Sequence, residues 1–225
     1  ERVVAVVPIA FPSLDFDATI EAFLETRGQV PSMGKFTIQE MMGTEEWYRD
    51  AYEPCRILKP GKPAMFIWGT ADTLFPIGFE EEYLGCYPGD FWVEIVPGSG
   101  HGVRELGERG ACSWMGFIAC LSSGLTPPRI EASLKRTNSG FLVEVRVEGG
   151  HNVRSVRVWW ACSDDVGGLG SAEWAEVEAS PSGEGLWKAS ISSGSPVTGV
   201  IAEVEFEVRG VVGYVSTMSL VGTRG

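Results

Sequence analysis

Two short apolar runs, each leading at once into a loop with one chemically capable side chain, constrain this chain most. Met65-Phe66-Ile67-Trp68-Gly69 runs into Thr70-Ala71-Asp72, and Phe91-Trp92-Val93-Glu94-Ile95-Val96 runs into Pro97-Gly98-Ser99-Gly100-His101-Gly102. Both are too short for a helix and are rich in β-branched and aromatic residues, so they read as buried strands. The segment from about Ile77 to Cys86 reads as a helix, and Pro88-Gly89-Asp90 as a turn. A strand–helix–strand unit of this length predicts a parallel pair whose outgoing loops share one sheet edge. A carboxylate and an imidazole would then meet although far apart in sequence.

Upstream, Val3–Ala10 reads as a strand and Leu14–Arg27 as a helix. Short helical pieces are expected around Thr37–Met42 and Thr44–Tyr52, where Trp47, Tyr48 and Tyr52 would serve either as core or as a cap over a pocket. The chain has no initial methionine and enters a β-branched run at Val3, so further residues are expected upstream. Downstream, Arg104–Ser122 reads as a helix with Trp114, Phe117, Ile118 and Leu121 along its apolar side, and Gly124-Leu125-Thr126-Pro127-Pro128 as a rigid joint.

Beyond the joint the period becomes two. Strands are expected over Ile130–Arg136, Phe141–Glu148, Ser155–Cys162, Glu173–Ala179, Gly185–Ile191, Val200–Arg209 and Tyr214–Val221. Seven short strands with turn residues between them predict an immunoglobulin-like β-sandwich over 127–225, following an α/β domain over 1–126. Trp159, Trp160, Trp174 and Trp187 are expected to include its core aromatics rather than to form a sugar-stacking face.

Asp72 and His101 are the candidate catalytic residues: His101 as general base, Asp72 holding its tautomer and stabilising the imidazolium. The nucleophile is missing. No G-x-S-x-G occurs, Gly110-Ala111-Cys112-Ser113-Trp114-Met115-Gly116 has the wrong spacing within a helix, and Ser99 reads as a turn residue. His151 reads as a surface turn residue.

Composition removes other classes. A net charge of −12 opposes nucleic-acid or anionic-lipid binding. The five cysteines, Cys55, Cys86, Cys112, Cys120 and Cys162, lack the spacing of a zinc site, and nothing calls for a metal or cofactor. No apolar stretch is long enough to span a membrane.

The order strand, acid, helix, strand, histidine is similar to the last third of an α/β-hydrolase. More narrowly, Val6-Val7-Pro8-Ile9, Gly69-Thr70-Ala71-Asp72 with Phe75-Pro76, Tyr87-Pro88-Gly89 and Val96-Pro97-Gly98-Ser99-Gly100-His101 resemble the PhoPQ-activated pathogenicity-related protein family, over roughly residues 2–162. After Trp160 the chain departs from the family's pattern, with Cys162-Ser163-Asp164-Asp165. The resemblance implies an α/β fold: the C-terminal part of an α/β-hydrolase-type parallel sheet domain, followed by the sandwich. It implies Asp72 and His101 as acid and base, a nucleophile upstream, and export to the cell surface or medium. The expected function is hydrolysis of an ester or peptide bond through an acyl-enzyme, completed by an N-terminal polypeptide of the same hydrolase domain. The rival expectation is an inactive hydrolase-fold protein acting as an extracellular binding or assembly module.

Overall fold

The computed structural model describes residues 4–9, 24–25, 32–33, 36–37, 61–73, 75–85, 87–102, 104–149 and 152–223. The cap-like segment with Trp47, Tyr48 and Tyr52, together with Cys55, Cys86 and His151, lies outside them, as does most of the helix expected over Leu14–Arg27. Strands β1 (Ser32–Met33) and β2 (Phe36–Thr37) form a small antiparallel pair.

The organising unit forms as its residues require. Strand β3 (Ala64–Gly69) is buried along its whole length and pairs in parallel with β4 (Phe91–Val96). Between them, helix α1 is short, Glu80–Leu84. Beyond β3, Val6 bridges Ala64 and Ile9 bridges Ile67, again in parallel. Helix α2 (Gly107–Ser122) follows the His101 loop and is followed by strands β5 (Arg129–Arg136), β6 (Gly140–Glu148) and β7 (Asn152–Ser163). A 3-10 turn, Gly167–Ser171, precedes β8 (Ala175–Glu178) and β9 (Ser180–Gly183). Strands β10 (Leu186–Ser192), β11 (Val197–Val208), β12 (Val211–Ser216) and β13 (Leu220–Thr223) complete the described chain.

The topology corrects the expected fold class. An α/β-hydrolase-type parallel sheet followed by an immunoglobulin-like sandwich is not what these residues build. The described strands are mostly antiparallel, and one mixed seven-stranded sheet takes in β3 and β4 together with five strands of the C-terminal half, in the order β3-β4-β12-β11-β7-β8, with β13 on β11. A separate four-stranded antiparallel sheet runs β5-β6-β10-β9. The physical reason lies in β11. Its first eight residues, Val197 to Val204, are buried without alternation, so both faces of the strand are covered. Val200, Ala202 and Val204 join a core with Val143, Val145, Val156 and Phe206, whereas Val197 and Ile201 join a second core with Phe66, Trp68 and Ile95. A sandwich strand needs one wet face; this one lies in the middle of a layered molecule.

Helix α2 also packs differently from its apolar pattern. Gly110, Ser113, Gly116, Phe117 and Cys120 are buried, whereas Trp114 and Ile118 are 38% and 47% exposed. The small residues allow close approach: a Cβ on Gly116 would meet the backbone of Gly213 in β12. Each of the four C-terminal tryptophans, Trp159, Trp160, Trp174 and Trp187, is partly buried and packs against the margin of one of the two cores.

Candidate active site

The sheet end that carries Asp72 and His101 is assembled by backbone contacts between two loops. Gly69 closes β3, and a side chain there would collide with the Ser99 carbonyl, so glycine is what lets the loops touch. The Ala71 N–H donates to that same carbonyl at 2.9 Å. The Thr70 N–H donates to the Val96 carbonyl at 3.1 Å, and the Gly98 N–H to Thr70 Oγ1 at 2.8 Å.

This seam brings together the two residues that the sequence singled out. His101 Nδ1 lies 3.0 Å from Asp72 Oδ2 and 3.2 Å from Oδ1. Asp72 Oδ1 also accepts the Phe75 N–H at 3.1 Å, which fixes the carboxylate in a turn. An ionised carboxylate can only accept, so the proton belongs on Nδ1 and the lone pair on Nε2. The Asp72 side chain is fully buried, whereas that of His101 is 39% exposed. Its ring leans on Phe75, with centroids 5.8 Å apart. The arrangement can take a proton from a group approaching Nε2 from solvent and hold the resulting imidazolium against a buried negative charge.

The glycines beside His101 have a specific neighbour. Cβ atoms at positions 100 and 102 would run into the carboxylate of Glu105, which fills the inside of the loop. Ser99 Oγ donates to the Glu105 carbonyl at 2.9 Å, so Ser99 is a structural hydroxyl. Pattern reasoning missed Gly69, Thr70 and Glu105. The Gly–Thr–Ala–Asp spacing hinted at a tight turn, but a contact across 30 residues leaves no local trace.

The Ser113 hydroxyl and the Cys112 and Cys120 thiols, all on α2, are unsuited to attack. Ser113 is buried and donates back to the Arg109 carbonyl within α2. Burial pushes the Cys120 thiol up to about 11 and raises that of Cys112, where Glu108 and Glu205 add to the effect. Both thiols are held away from the reactive thiolate. A crevice of about 640 Å³ opens at the other end of β4, beside Phe91, Arg129 and Met218, with Ser216 and Thr217 in its wall. Those hydroxyls accept backbone N–H groups, Ser216 from Ile95 and Thr217 from Ala202. Among the described residues no cluster of His, Cys, Asp or Glu could hold a metal ion.

A second polar group was also missed. Glu94, the lone acid of an apolar strand, and Glu203, in the buried part of β11, are 0% and 1% exposed. Arg109 and Arg157 reach Glu203 at 2.8 and 3.3 Å. An acid inside an otherwise apolar run was the available signal.

In comparisons with known proteins, no curated protein matches the chain. A family model does match residues 1–166, and it describes the PhoPQ-activated pathogenicity-related protein.

Proposed function

The chain belongs to the PhoPQ-activated pathogenicity-related protein family, and from that premise we propose that Asp72 and His101 form the acid–base half of a centre hydrolysing ester or peptide bonds. The observation that carries this reading is the paired contact of a half-exposed imidazole with a wholly buried carboxylate. His101 Nε2 takes the proton of a serine or cysteine nucleophile as it attacks the carbonyl, and Asp72 stabilises the imidazolium. His101 returns that proton to the leaving group, then takes one from water to release the acyl group. In this reading the nucleophile and the oxyanion donors come from an N-terminal polypeptide of the same protein; the Ser99 and Ser113 hydroxyls are committed to backbone carbonyls. In this reading the protein works outside the cell or at its surface, as the resemblance to the family implies.

A second reading, a binding or assembly module without catalysis, is favoured by the exposed Trp114, Met115 and Ile118 on α2. Denaturing mass spectrometry of the native preparation, after treatment with a fluorophosphonate, separates the two. A second polypeptide carrying the adduct is expected. If it appears but resists both this probe and a cysteine-reactive one, the binding module replaces the hydrolase. If this chain alone is present, folded and unlabelled, the completing polypeptide is wrong as well.

A further inference from the structure

Glu94 and Glu203 lie on different strands, β4 and β11, and meet in the interior. Neither oxygen of Glu94 has a hydrogen-bond donor. Its neighbour is another carboxyl group, and two carboxylates are both acceptors, so only a proton can join them. The charged groups around the pair are asymmetric. From α2, Arg109 donates to Glu203 at 2.8 Å, and from β7, Arg157 reaches the same carboxylate at 3.3 Å. Arg157 also bonds Glu205 at 2.8 Å, and Arg154 lies 3.8 Å from Glu205. Arg109 stacks over Trp159 at 4.7 Å and Tyr214 at 5.4 Å, and Cys112 lies nearby on α2. Both arginines in contact with the pair therefore serve Glu203, which leaves Glu94 as the natural seat of the proton.

We propose that Glu94 and Glu203 share one proton as an acid–carboxylate pair, and that this proton fastens helix α2 and the strand before the His101 loop to the centre of the sheet. Burial raises the Glu94 carboxyl well above its ordinary range, and the charge of Glu203 and the bond to it act in the same direction, against Arg109. Glu203 is raised mainly by burial, with Arg109 and Arg157 opposing. An acid whose folded pKa exceeds its unfolded one binds a proton on folding. Its contribution is intact below the unfolded carboxyl range and is lost as pH rises through the folded value. The device is thus released by rising pH, and it acts two residues before Val96, whose carbonyl holds both loops of the candidate site. The inference stands whether or not the hydrolytic reading does.

The test uses the native protein and Glu94→Gln, whose amide can still donate to Glu203. Infrared spectroscopy of the native protein at neutral pH is expected to show a protonated buried carboxyl that the variant lacks. Amide-exchange protection across α2 and β4 is expected to fall with rising pH in the native protein and to stay level in the variant. Absence of that carboxyl signal from the native protein overturns the proposal. So does an equal decline of protection in the variant. If the variant does not fold, the native infrared signal decides.

Discussion

Asp72 can be buried because its charge is shared. The Phe75 N–H and the His101 imidazole both donate to it, and a carboxylate with charge-assisted partners tolerates an apolar setting. Asp72→Asn retains an acceptor for Phe75 but presents an amide that can stabilise the wrong imidazole tautomer. Under the proposed mechanism turnover of an ester substrate by the native preparation falls roughly 10⁴-fold, with near-normal circular dichroism. Gly69 carries a different burden, since a methyl group there strikes the Ser99 carbonyl. Gly69→Ala is expected to cost about 1–3 kcal/mol in urea denaturation and to lower activity with it, because the same contact sets the distance between the loops. That Asp72 and His101 would meet was readable from the sequence, since each follows a strand of a parallel pair. Their supports were not, because Thr70, Ser99 and Glu105 act through backbone contacts that obey no period.

At the scale of elements, periodicity was a good guide to strands and a poor one to layers. β5, β6 and β10 lie close to where alternation placed them. Tyr214–Val221, read as one strand, is two: Thr217 exchanges bonds with Ala202, and the Ser219 hydroxyl donates to Glu80. Those partners are remote in sequence, so the break was invisible. In α2 the largest apolar residues suggested the buried face, yet the close approach of Gly116 to Gly213 turned it toward the small ones. The consequence is measurable. Phe117→Ala, at a side chain with no exposure, should cost about 3–5 kcal/mol. Ile118→Ala, one residue along, should change stability by less than about 0.5 kcal/mol. Equilibrium denaturation of the pair checks the orientation of the helix directly.

At the scale of the whole molecule, the two stretches of strand read as separate sheets share one. The join is narrow. β3 and β4 pair at six positions, Ala64 to Gly69, and β11 pairs with β12 at six, Glu203 to Val208. Between β4 and β12 the register holds one pair, Val93 with Ser216, reinforced by the Ile95 N–H donating to Ser216 Oγ at 3.0 Å. Helix α2 lies across this line: Phe117 meets Trp92 of β4, and Gly116 meets Gly213 of β12. Mechanically, the sheet is two stiff plates on a short hinge, and the helix is the splint across it. A load drawing the plates apart reaches that hinge before it reaches any fully laddered pair. The joint would open like a book along its spine, with the splint setting how far.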